Sequence, residues 1–189
     1  MNKKDLLSEL YFIYSDFKNT SVYIDGAKNI VFGEGDPESS LMFIGEAPGA
    51  EEDILARPFV GRSGRLLTKV IESFGVVRSS VFITNIVKCR PPENRTPTPF
   101  EIEKGKNLIL RHEIEIIKPK IIVTLGLSSL VGLLEQPYSM NRVRGSFLNS
   151  KYGIIFPTYH PAYVLRNSTI KQIFINDIEK ALKESCFLM

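Results

Sequence analysis

A chain of 189 residues with a formal net charge of +3, 43% hydrophobic residues and two cysteines is long enough for one domain with a full core. Its composition excludes a membrane span, since no apolar run nears the ~20 residues a bilayer requires, and it excludes a disulfide framework. The expectation is a single monomeric domain over 1–189 in a reduced compartment, the cytoplasm: Asp5 and Glu9 interrupt any signal-peptide core, and the mild basicity permits nucleic acid as a partner without requiring it.

Leu6, Leu7, Leu10 and Ile13 recur at helical spacing and predict a first helix over Asp5 to Asp16. A mixed, Gly-containing loop follows to Asp36, with a short strand expected at Ile30 to Phe32. Leu41 to Ile44 is an apolar run of the kind that makes a buried parallel strand. Gly45 ends it, and Ala47, Pro48 and Gly49 force a tight small-residue turn. Glu51, Glu52 and Asp53 come next, then Phe59 in a Pro/Gly-flanked loop. The segment reads equally as a ligand-binding loop or as an ordinary connection whose acids are a solvated helix start. A helix is predicted from Ser63 to Phe74, stopped by Gly75, and a second strand from Val81 to Thr84, ending at Asn85.

Lys88 to Pro99 is rich in proline and cations and predicts a rigid basic loop. Helix is expected from Phe100 to Ile117, strand from Ile121 to Leu125 and a short helix from Leu127 to Leu134. A hairpin-like segment spans Val143 to Ile155, its fourth core strand at Ile154 to Phe156 running into Pro157-Thr158-Tyr159-His160-Pro161. A last helix covers Thr169 to Glu184. Strands alternating with helices make an α/β domain with a mainly parallel sheet.

In such a sheet the strand ends Gly45 to Gly49, Asn85, Gly126 and His160 share one edge, where ligands bind. Phe59 offers a stacking face. Asn85 offers one donor and one acceptor. His160 can stabilise developing negative charge or move a proton. Together they suit a planar, hydrogen-bonding ligand.

The segments GEAPGAEED, RPFVGRSGRLL, TNIVKCRPPENRTP and PTYHPAYVLR, in this order, resemble the family-four uracil-DNA glycosylases over about residues 30 to 183. The resemblance implies a three-layer αβα sandwich around a four-stranded, mainly parallel sheet. It implies excision of uracil from single- or double-stranded DNA, leaving an abasic site in base excision repair. By resemblance Phe59 stacks on the flipped uracil, Asn85 reads its O4 and N3–H edge, Glu52 lies near C5, and His160 bonds O2, with Gly45 and Ala47 in the turn around the base. Backbone amides of the Glu46–Ala47 turn could share the O2 contact. Glu46 is either the group that orients water or a structural anchor of the turn. Arg62, Ser63, Gly64, Lys88, Arg90, Arg95 and Arg166 are candidates for DNA backbone contact, each Arg reading equally as a solvated charge. Ala162 and Leu165 follow the His-Pro turn, where Leu165 or Arg166 would fill the gap left by the flipped base.

The family's four cluster cysteines are where this chain departs. By the resemblance they fall on Lys18, Ser21, Cys89 and Gly105, so only Cys89 remains. An iron–sulfur cluster needs about four thiolates. No cofactor and no metal are therefore expected, with Tyr11, Phe12, Phe17 and Tyr23 packing where a cluster would staple the loops. Two other readings compete: a degenerate glycosylase fold that only binds DNA or joins a polymerase, and a phosphate-binding α/β protein, which the absence of GxxxxGK[ST] and GxGxxG weakens.

Overall fold

A computed structural model describes residues 1–187. In chain order it comprises α1 (Lys3–Ile13), β1 (Glu34–Gly35), β2 (Leu41–Gly45), α2 (Ala50–Leu55), α3 (Arg62–Ser73), β3 (Phe82–Asn85), α4 (Pro99–Gly105), α5 (Arg111–Ile117), β4 (Ile121–Leu125), α6 (Leu127–Leu134), α7 (Met140–Val143), β5 (Leu148–Ser150), β6 (Gly153–Thr158), α8 (Pro161–Arg166) and α9 (Lys171–Glu184). The strands form one six-stranded sheet in the order β1-β3-β2-β4-β6-β5. The inner four are parallel.

Because these inner strands are covered on both faces, they read as mainly apolar runs, interrupted by the buried Thr84, Thr124 and Thr158. Alternate residues feed opposite cores. Met42 and Ile44 join Leu7, Leu10, Ile114 and Leu130 on one side, under α1, α5 and α6. Leu41 and Phe43 join Leu67, Ile71, Val164 and Phe174 on the other, under α3, α8 and α9. The result is the expected three-layer sandwich, each buried Ile or Phe contributing roughly 1.5–3 kcal/mol.

The chain leaves β2 for β3 on one side, then returns to β4 on the other. The reversal makes the carboxyl end of β2 the topological switch point, where an open α/β sheet forms its crevice.

Several elements differ from the sequence reading. The sheet has six strands rather than four, because β1 and β5 add short antiparallel edges. Two- and three-residue strands are too short to show a period. Of Ile30 to Phe32 only Ile30 pairs, in an isolated bridge to Cys89, and Glu34–Gly35 takes the edge instead. Gly35 permits this, since a Cβ there would lie 1.9 Å from the Val81 carbonyl. The helix expected over Phe100 to Ile117 contains a π-turn at Lys106–Leu110. It begins on a capping box between Thr98 and Glu101, with Pro99 in the first turn. The His-Pro turn opens a short helix, α8, capped by His160 itself. Tyr11 stacks on Phe32 and Phe17 packs against Tyr23, but Phe12 is 78% exposed and takes no part in the core.

Candidate active site

The carboxyl ends of β2, β3, β4 and β6 open into a cavity of about 570 Å³ lined by Glu46, Ala47, Glu52, Phe59, Ser63, Asn85, Arg95, Gly126, His160, Ala162 and Arg166, among others. The residues singled out from strand ends thus converge.

Asn85 closes β3 and is buried, and among the described residues its Oδ1 has no hydrogen-bond partner. A buried, unpaired carbonyl costs about 1–3 kcal/mol, and Asn85 lines the cavity, so this acceptor can take a donor from a bound ligand. Gly45 makes room for it: a Cβ there would lie 2.4 Å from both Asn85 Oδ1 and the Phe59 ring. The Phe59 ring stands 5.9 Å from the His160 ring at an interplanar angle of 36°, and both rings line the cavity.

Phe59 holds a left-handed backbone, φ 51°, a conformation an L residue keeps only when its surroundings impose it. Three contacts do so. Glu52 Oε1 accepts from the amides of Val60, at 2.9 Å, and Gly61, at 2.7 Å. Arg78 Nη1 donates to the Phe59 carbonyl at 3.1 Å. Gly64 lets α3 press on this loop, since its Cβ would lie 1.9 Å from the Phe59 carbonyl oxygen.

The acids after the turn accordingly divide. Glu51 is exposed and pairs with Arg65, as a solvated helix start would. Glu52 is buried, lines the cavity and spends Oε1 on the Phe59 loop. Asp53 is buried and accepts from the amides of Lys28 and Asn29. Arg78 was not visible as a site residue. It reaches Pro58, Phe59, Thr68 and Glu34 from a turn whose sequence carries no motif.

His160 Nδ1 accepts from the Ala162 amide at 3.1 Å. That bond leaves the ring proton on Nε2. Burial, aided by the Arg166 charge, lowers its pKa to about 4, so the imidazole is neutral at pH 7 and offers an N–H. Gly126, at φ 94°, lies under it, and a Cβ there would come within 3.1 Å of the His160 Cβ. The Glu46 carboxylate forms no hydrogen bond or ion pair among the described residues. Its carbonyl instead accepts from the Val87 amide, tying the turn to the segment that follows β3.

Of the cations proposed for DNA, Arg62 and Arg166 are exposed, and Arg166 reaches the cavity rim with Ser63. Arg90 is half-buried and donates to Asn94. Arg95 lines the rim but pairs with Glu101 through both terminal nitrogens. Lys88 is a correction. Its side chain is fully buried against Glu113, with Nζ 2.6 Å from Oε2, so it cannot meet a phosphate. Gly64 is buried against the Phe59 loop. Leu165, 45% exposed, projects from α8 beside the cavity residues Ala162 and Arg166.

The residues at the family's cluster positions do not fit an iron–sulfur cluster. Lys18 and Ser21 are exposed. Gly105 packs on backbone, where a Cβ would lie 2.3 Å from the Ile86 carbonyl. Cys89 is buried in the apolar core, and burial pushes its thiol up to about 12. Cys186 stands beside Lys120, which precedes β4 at the opposite edge of the sheet. Among the described residues no group of three or more His, Cys, Asp or Glu is placed to hold a metal.

Comparison with known proteins identifies the family. Residues 32–183 match the family model described as "Uracil DNA glycosylase superfamily". The chain is 45% identical over 157 residues to a type-4 uracil-DNA glycosylase of Thermotoga maritima, covering 81% of each. It is 47% identical over 162 residues to that of Saccharolobus solfataricus, covering 81% of this chain and 74% of the relative. The type-4 enzyme of Sulfurisphaera tokodaii is 48% identical over 161 residues, covering 80% of this chain and 73% of the relative.

Proposed function

Because the chain belongs to the uracil DNA glycosylase superfamily, we propose that its cavity takes a uracil flipped out of DNA and hydrolyses the N-glycosidic bond, leaving an abasic site. The observation that carries this reading is the buried, unpaired Oδ1 of Asn85. Uracil presents N3–H beside O4, and a carboxamide matches that pair with one acceptor and one donor. Cytosine presents a bare N3 and an amine, the opposite pattern. Flipping costs a few kcal/mol, offset by this contact and by stacking on Phe59.

Cleavage sends the bonding electrons to the base, so negative charge builds on O2 and positive charge on the sugar. Neutral His160 donates Nε2–H to O2 as the charge grows, which lowers the barrier. The Ala47 amide adds a second donor from the turn. Glu46, with no partner among the described residues, favours the cationic sugar and orients the water that adds to the sugar carbon, whose released proton ends on the departed base anion. Glu52 acts at one remove by holding the Phe59 loop. Arg62, Ser63, Arg90, Arg95, Ala162 and Arg166 face the DNA backbone, and Leu165 or Arg166 fills the vacated stack. The enzyme works as a monomer, without a cofactor, on single- and double-stranded DNA.

The test is incubation with single-stranded oligonucleotides carrying one uracil, cytosine or thymine, followed by alkali. Scission at uracil alone is expected. An intact uracil strand overturns the reading.

A further inference from the structure

Two buried carboxylates that the cavity does not use lie behind its two recognition strands. Glu113 on α5 is fully buried. Its Oε2 accepts from Thr84 Oγ1 at 2.9 Å and Lys88 Nζ at 2.6 Å, and its Oε1 accepts from Tyr11 OH at 2.9 Å and the Gly33 amide at 3.0 Å. Thr84 immediately precedes Asn85. Asp177 on α9 is also buried. Its Oδ2 accepts from Thr158 Oγ1 at 2.7 Å and Arg144 Nε at 3.0 Å, while Arg144 Nη2 donates to Oδ1 at 2.5 Å. Thr158 ends β6, two residues before His160. Each strand end is thus held by the same device, a threonine, a carboxylate and a cation, one from each helical layer.

Helix geometry shows how the first is brought into register. Gly105 touches the backbone of Ile86 and Val87, while Glu113 reaches Lys88 just beyond them. At 100° per residue a regular helix would turn these two positions about 80° apart. A π-turn takes up about one extra residue and brings them to within roughly 20°. The π-turn at Lys106–Leu110 lies between them. A buried ion pair is a poor source of stability compared with apolar packing of the same volume, whereas it does fix one arrangement.

We propose that Thr84–Glu113–Lys88 and Thr158–Asp177–Arg144 are positioning clamps that fix Asn85 and His160 against the flipped base, an inference that rests on the glycosylase reading above. The clamps hold the amide and the imidazole at hydrogen-bonding distance from uracil, and a shift of about 1 Å in either costs up to about 100-fold in rate.

The test compares Thr84→Val, which keeps shape and loses the hydroxyl, with Thr84→Ser, which keeps the hydroxyl. Single-turnover excision, binding to uracil-free DNA and Tm are measured for each at a temperature where it is folded. Thr84→Val should slow excision about tenfold or more with DNA binding unchanged, and Thr84→Ser should restore most of the rate. Thr158→Val tests the same device at the other strand end, whether or not Thr84→Val folds. A purely structural role predicts a lower Tm with wild-type rates, and that result in the Val variants overturns the clamps. So does a Thr84→Ser protein as slow as Thr84→Val. A wild type that excises nothing overturns the glycosylase reading and the clamps with it, whereas equal rates in wild type and Val variants overturn the clamps alone.

Discussion

Asn85 Oδ1 and the Phe59 ring meet over one backbone position: a Cβ on Gly45 would lie 2.4 Å from each. Real Cβ contacts are essentially never that short, so Gly45→Ala must push apart the Asn85 amide and the Phe59 ring. Single-turnover excision should fall about 100-fold, while DNA without uracil binds as before. Wild-type excision by folded Gly45→Ala would show that the two side chains need not be this close.

Asn85→Ala should separate activity from stability. The buried Oδ1 has no partner among the described residues, so its removal relieves an unpaired acceptor worth about 1–3 kcal/mol and offsets the packing lost. Tm should be equal to or above that of the wild type while uracil excision falls by at least 100-fold, the loss expected when a preorganised contact is removed. A large fall in Tm, or retained excision, would contradict the role given to this amide.

His160 sets a dependence on pH. Its folded pKa is lowered from 6.5 to about 4 by burial and by Arg166. The unfolded chain therefore binds the extra proton first, between those values. The stability that comes from burying a neutral imidazole is complete above pH 6.5 and is lost as pH falls towards 4. The Tm of the wild type should drop across this window more steeply than that of His160→Gln. Parallel curves would mean that His160 is not held neutral.

The two thiols should differ sharply. Cys186 is exposed, while Cys89 is buried and its pKa is raised to about 12. Ellman's reagent should titrate one thiol in the native protein and the second only in denaturant. Cys89→Ser should lower stability by about 1–3 kcal/mol, the cost of a hydroxyl in an apolar site, and leave the excision rate of the folded protein unchanged. Anaerobically purified protein should carry no stoichiometric iron. About four irons per chain would show that ligands come together in a way these positions do not allow.

The Leu41 to Ile44 and Ile121 to Leu125 runs identified their strands because a strand buried on both faces is mostly apolar, even where Thr124 interrupts the second. The strand-end residues Gly45, Asn85, Gly126 and His160 were legible for a related reason: parallel strands share one carboxyl edge, so chain order alone gathers them. What charged side chains do was not legible. Lys88 lies in a basic, proline-rich segment and reads as a DNA contact, yet it points inward, because a π-turn 18 residues later brings Glu113 round to meet it. Glu51, Glu52 and Asp53 read equally as part of a ligand loop or as a solvated start, and Glu52 by resemblance as a neighbour of the uracil C5 edge, yet Glu52 closes on the amides of Val60 and Gly61 and Asp53 on those of Lys28 and Asn29. Arg78 supports Phe59 from a turn with no signature. Apolar periodicity reports only that a residue is buried, and burial is a property of the local element. The partner of a buried charge is set by a hydrogen-bonding atom that can lie anywhere along the chain, so only the tertiary structure selects it.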